Sequence, residues 1–154
     1  MKKGSTTFLK LVIACIAVAI FAGLLYFPQV EGRNANSDWL SLYFNDPFLI
    51  YVYTASIAFF IGSYQLIKLL GLIENNKTFS LASAKSLGII KICSLAMSGF
   101  ISVAMPWLIM FAHDDDSPGV VLIGIVAVFA SASIAYASAI FQKQIQKRLH
   151  KGKK

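Results

Sequence analysis

Not one of the seven carboxylates in this 154-residue chain falls inside its long apolar runs. A proton- or drug-coupled exporter keeps a membrane-embedded Asp or Glu as its exchange site, so the absence weighs against that class. Cysteine is nearly missing too: Cys15 and Cys93 are the pair present, both within apolar runs. No disulfide framework outside a membrane can be built from them. There is no Cys-x-x-Cys, so thiol-redox chemistry has no motif, and inert buried thiols are the expected state. Neither a nucleophile–base pair, a phosphate-binding loop nor a zinc-ligand spacing is visible. The expectation is a protein without catalytic residues, cofactor or metal: not an enzyme.

What the chain has in abundance is hydrocarbon. Hydrophobic residues make up 57% of it, and its mean hydropathy is +0.69. Four apolar runs, at about 8–27, 48–72, 88–112 and 119–141, each reach the ~20 residues needed to cross a ~30 Å hydrocarbon core. If each run crosses once, thirteen of the fourteen Lys and Arg residues fall on one side and six of the seven acids on the other. Cytoplasmic segments carry the Lys/Arg excess, so both termini and the 73–87 connection are expected inside. The fold class is therefore all-α: one integral membrane four-helix bundle over 1–154, both termini cytoplasmic, ending in a basic tail at 142–154. Lys2 and Lys3 before the first run resemble a leader, and Val12-Ile13-Ala14-Cys15 a lipobox. The run continues well past Cys15, so a retained first span is expected. The net charge of +7 is explained by topology and anionic lipid, with no direct nucleic-acid contact expected.

Local signals place the ends. Tyr26-Phe27-Pro28 reads as an interfacial belt followed by a helix stop. Asp46-Pro47 and Ser117-Pro118 put a capping residue before a proline at the first helical position. Their similarity allows two related hairpins or one capping solution used twice. Ser80 is a candidate N-cap for the third helix, and Pro106 is expected to kink it. Within the outer loop 28–47, Ser37 caps a candidate interfacial helix over 38–44, which reads as an aromatic belt or as a lid. Small residues recur every four positions at Thr54, Ala58 and Gly62, at Ser94, Ser98 and Ser102, and at Ala127, Ser131, Ala135 and Ala139. Such rows let backbones approach closely in lipid. The Ser94 row has a second reading, a polar solute path.

Two stretches are candidate sites. His113-Asp114-Asp115-Asp116 is a dense outer cluster, either a weak cation site or a solvated loop. The tail alternates apolar and basic residues: Phe141, Ile145 and Leu149 recur every four residues, with Lys143, Lys147, Arg148 and Lys151 on other faces. This pattern reads as an amphipathic helix along the inner leaflet, in contact with anionic lipid or a cytoplasmic protein.

Four strings carry a resemblance: Asn45-Asp46-Pro47-Phe48-Leu49-Ile50-Tyr51, Phe79-Ser80 with Ile90-Lys91-Ile92-Cys93, Asp115-Asp116-Ser117-Pro118-Gly119-Val120, and Phe129-Ala130-Ser131 through Gln142-Lys143. In this order and spacing they resemble a bacterial family of small four-span inner-membrane proteins classed as a domain of unknown function. The resemblance implies a bacterial plasma-membrane protein with no established catalytic activity. Members are often encoded beside a small helix-turn-helix transcription regulator, which suggests a partner class but supplies no functional residues. The leading expectation is a non-enzymatic membrane component that tethers such a regulator. The alternative is a small-solute transporter or membrane ligand-binding protein. Small-residue faces also permit a homo-oligomer.

Overall fold

Each apolar run becomes one continuous helix. A computed structural model describes residues 3–30, 47–114 and 118–151. The helices are α1 (Lys3–Val30), α2 (Pro47–Glu74), α3 (Leu81–Asp114) and α4 (Pro118–Lys151). All four are long and apolar enough to cross a membrane. The expected helix starts at Pro47 and Pro118 are the observed ones. Asp46, the candidate helix over 38–44, and Asp115 and Asp116 lie outside the described residues.

The helices pack in chain order. Contact is most extensive between α3 and α4, less between α2 and α3, and least between α1 and α2. Neighbours run antiparallel, so both chain ends and the turn between α2 and α3 share one end of the molecule. That end is rich in Lys and Arg and is called the basic end below.

The turn itself is closed at both sides by hydrogen bonds. At the end of α2, the Lys77 N–H donates to the Leu72 carbonyl at 2.8 Å and the Asn76 N–H to the Ile73 carbonyl at 3.1 Å. This is a Schellman closure, and it needs a left-handed residue, which Asn76 supplies with φ of 57°. Ser80 then caps α3 as expected, its Oγ accepting from the Ser83 N–H at 3.2 Å. Ser83, fully buried, donates its own hydroxyl to the Lys77 carbonyl at 2.9 Å, which joins the two closures.

Pro28 does not stop α1. The helix continues to Val30, although proline leaves the carbonyl four residues earlier without its N–H partner. That carbonyl belongs to Leu24, and the Tyr53 hydroxyl on α2 donates to it at 2.8 Å. A partner from the next helix thus repairs the gap in lipid, where an open backbone acceptor costs several kcal/mol. Near the middle, α2 and α3 come close at Gly62, where an added Cβ would sit 3.4 Å from the Cys93 Cβ.

The α3–α4 seam uses the small residues, and it has a heptad pattern that the four-residue reading did not separate. Gly124, Ser131, Ser138 and Ile145 alternate with Val128, Ala135, Gln142 and Leu149, and all eight are buried or half-buried. Alternating steps of four and three are the signature of antiparallel helices packed knobs-into-holes. The tail therefore differs from expectation. Ile145 is 4% exposed and joins Leu69, Ala84, Leu87 and Ile90 in the core cluster, with Ile73 and Leu149 packed against it. Ile145 and Leu149 face the bundle rather than lipid, because the seam continues without a break past the end of the apolar run.

Replacing Tyr53 with Phe is expected to lower stability by about 1–3 kcal/mol, the cost of leaving a buried acceptor without its donor. The loss should shrink in a Pro28→Ala background, where residue 28 regains its own N–H. Unfolding in detergent micelles measures both, and equal losses in the two backgrounds would contradict the repair.

Candidate functional site at the basic end

The basic end is built from three helix ends and one turn. Helix α4 has 34 residues, about 51 Å at 1.5 Å per residue, against a hydrocarbon core of ~30 Å. α3 is as long, so the α3–α4 hairpin is longer than a bilayer requires. Its seam changes character at Gln142. Before it the knobs are Gly, Ala, Ser and Val; after it they are Ile145 and Leu149. Small knobs serve close approach where lipid gives no hydrophobic drive. Large apolar knobs gain most where the alternative is water, about 1.5–3 kcal/mol for a fully buried Ile. Gln142 marks the change, and its amide lies over Gly88, whose missing Cβ leaves room for it.

Locking Ile145 and Leu149 inward fixes what the tail shows outward. Lys143, Lys147 and Lys151 follow one another at four-residue steps and all are exposed. Residues at that spacing sit ~5–6 Å apart on one helix face, and this face is roughly opposite the seam. Arg148 points elsewhere, its guanidinium 4.5 Å from the centre of the Phe79 ring. The stacking pins the tail to the turn. Lys68, Lys77 and Lys85 are also exposed at this end.

Counter-charge is scarce here. Among the described residues the carboxylate at this end is Glu74, and Lys10 of α1 donates to it at 2.5 Å. Lys10, a charge inside the first apolar run, thus has a protein partner. The pair is part-buried and ties the loosely held α1 to α2. Glu74 is therefore spent, and the lysine row keeps its field.

The other expected features are dispersed. His113 and Asp114 end α3 rather than stand in a loop, at the opposite end of the molecule from the lysines, and Asp115 and Asp116 lie outside the described residues. Cys15 is exposed on α1 rather than buried, since α1 has one substantial neighbour, while Cys93 is half-buried between α2 and α3. Ser94 and Ser98 are half-buried and Ser102 exposed. A cleft of about 370 Å³ opens between α1, α2 and α3, and its α3 wall is Met97, Phe100, Ile101, Ala104 and Leu108, not the serine row. Hydroxyls elsewhere bond their own helix, as Thr54, Ser56 and Ser133 do to the carbonyls four residues back.

Sequence reasoning did not find Ile145 and Leu149 as seam residues, nor Phe79 and Glu74 as partners of cations. The seven-residue recurrence from Gly124 to Ile145 was the available signal. The two pairings link distant helices and leave no local pattern.

Four long apolar helices carrying a cationic hairpin end define a multi-span membrane protein. The chain belongs to the family described as "Protein of unknown function (DUF2975)", which matches residues 11–149. It is 35% identical over 150 residues to "Uncharacterized membrane protein YoaS" of Bacillus subtilis (strain 168), covering 97% of this chain and 94% of that protein. No solved structure matches it.

Lys10→Met and Glu74→Gln are each expected to destabilise the protein, and the double variant less than their sum. A coupling of about 1 kcal/mol in a double-mutant cycle is the expected result. Additive losses would show that the pair does not hold α1.

Proposed function

We propose that the protein is a non-enzymatic component of the bacterial inner membrane whose basic end faces the cytoplasm and holds a soluble protein there. The supporting observation is the burial of Ile145. A tail lying along the leaflet must put Ile145 and Leu149 into lipid; here both pack into the bundle, which supports a tail that turns its lysines away from the packed face. What it offers to the cytoplasm is a row, Lys143, Lys147 and Lys151, with no neighbouring acid among the described residues. Such a row fits an acidic protein surface, and charge complementarity of this kind gives orientation and fast association more than raw affinity. The partner class is the small helix-turn-helix transcription regulator that the family resemblance suggests. Tethered at the membrane, that regulator is kept from its operator until the helix packing changes.

Capture of the regulator from mild-detergent extracts on the tagged full chain tests this. Changing Lys143, Lys147 and Lys151 to Glu together is expected to cut capture at least about tenfold, equivalent to 1.4 kcal/mol. Capture by the unchanged protein should also weaken as salt rises toward 1 M. Undiminished capture by the triple variant, or a C-terminal reporter found outside the cytoplasm, would overturn the reading.

A further inference from the structure

At the opposite end from the lysines the packing is looser, and there the fold leaves a trough. α1 and α3 both lean on α2 but share little contact with each other. The cleft of about 370 Å³ lies between them, with Ala55 and Phe59 of α2 as its floor and Ile20 and Leu24 of α1 facing Ile101 and Ala104 of α3. All of these positions fall within the membrane-crossing helices.

We propose that this trough is a binding site for one acyl chain of a membrane phospholipid. The chemistry of the lining selects hydrocarbon. Its hydroxyls belong to Tyr51 and Ser56, and both are committed: Tyr51 donates to the Phe100 carbonyl, and Ser56 to the Val52 carbonyl at 2.7 Å. The Tyr51 ring is also fixed, edge-on to Phe100 with centroids 5.4 Å apart. A quinone ring would find no free polar partner among the described lining residues, and burying it unpaired is unfavourable.

The cleft cannot stay empty without cost either, since lining atoms facing a void lose their dispersion contacts. Water is excluded by the apolar lining, because a buried water needs several polar partners. The surrounding medium supplies an occupant of matching chemistry, a lipid tail. The cleft is half-open, so a chain can enter it while its headgroup stays at the interface. A phospholipid of the leaflet opposite the basic end meets that requirement. The occupant would fill the gap between α1 and α3 and so couple α1 to the packed helices. This site does not depend on the lysine row.

Photolabelling tests the site with the full chain in nanodiscs of a phosphatidylethanolamine–phosphatidylglycerol mixture. The probe is a phospholipid carrying a diazirine midway along one acyl chain. Label is expected to concentrate on Ala55, Phe59, Met97 and Ile101, well above the lipid-facing Ile123 and Phe129. Filling the trough with Ala55→Trp and Ala104→Trp should reduce labelling of Met97 several-fold and leave Ile123 unchanged. The milder pair Ala55→Leu and Ala104→Leu should give the same direction if the Trp variant does not fold. Equal labelling of trough and outer surface, or labelling unmoved by either pair, would overturn the proposal. Loss of trough label on adding a ubiquinone analogue or oleic acid at amounts that spare Ile123 would overturn it as well.

Discussion

The structure depends on one seam, the antiparallel contact of α3 with α4, whose knobs change size at Gln142, where the long apolar run of α4 ends. In lipid, apolar surface has nothing to gain by meeting apolar surface, so Gly124, Ser131, Ala135 and Ser138 bring the backbones together by being small. Past Gln142 the same register is filled by Ile145, which joins Ala84 and Ile90 in the core cluster, and by Leu149, which packs against it. One heptad register thus carries both small and large knobs. The Ser80 cap and the Asn76 turn matter because they deliver α3 to this seam together with the end of α2.

From that seam the molecule grades outward in tightness. α3 is held on two sides, α2 on two sides with less contact, and α1 by one neighbour. The contacts that secure α1 include the Lys10–Glu74 pair, the Tyr53–Leu24 hydrogen bond and the edge contact of Phe21 with Phe60, 6.1 Å between centroids. They lie along one side of α1, which leaves its other faces, Cys15 included, open to lipid. The gradient also separates two features in space. The packed core cluster sits at the basic end, with the lysine row, and the cleft sits toward the far end, between α1 and α3.

Much of the fold was legible in the chain because membranes reduce the choices. Four apolar runs, prolines at the first position of α2 and α4, and Ser80 before α3 are local signals, and each fell where it was read. Two of the readings that differ from the structure have plain physical reasons. Pro28 looked like a helix stop because nothing nearby announces that Tyr53, twenty-five residues on, repairs the exposed Leu24 carbonyl. The tail looked like a leaflet-bound helix because four-residue steps at Phe141, Ile145 and Leu149 suit a lipid face as well as a packed one. Phe141, which does stay exposed, belongs to neither set of knobs. The lysines were visible as charges, but their shared outward face was not, because it is set by which residues face inward.

The inward lock of the tail is tested most directly by crosslinking in native membranes, in a background with Cys15 and Cys93 replaced by Ser. Ala84→Cys paired with Ile145→Cys is expected to form a disulfide rapidly on mild oxidation, while Ala84→Cys paired with Lys147→Cys stays reduced. Equal reactivity of the two pairs, or quenching of a fluorophore at position 145 by lipid-borne nitroxides, would contradict a tail packed into the bundle.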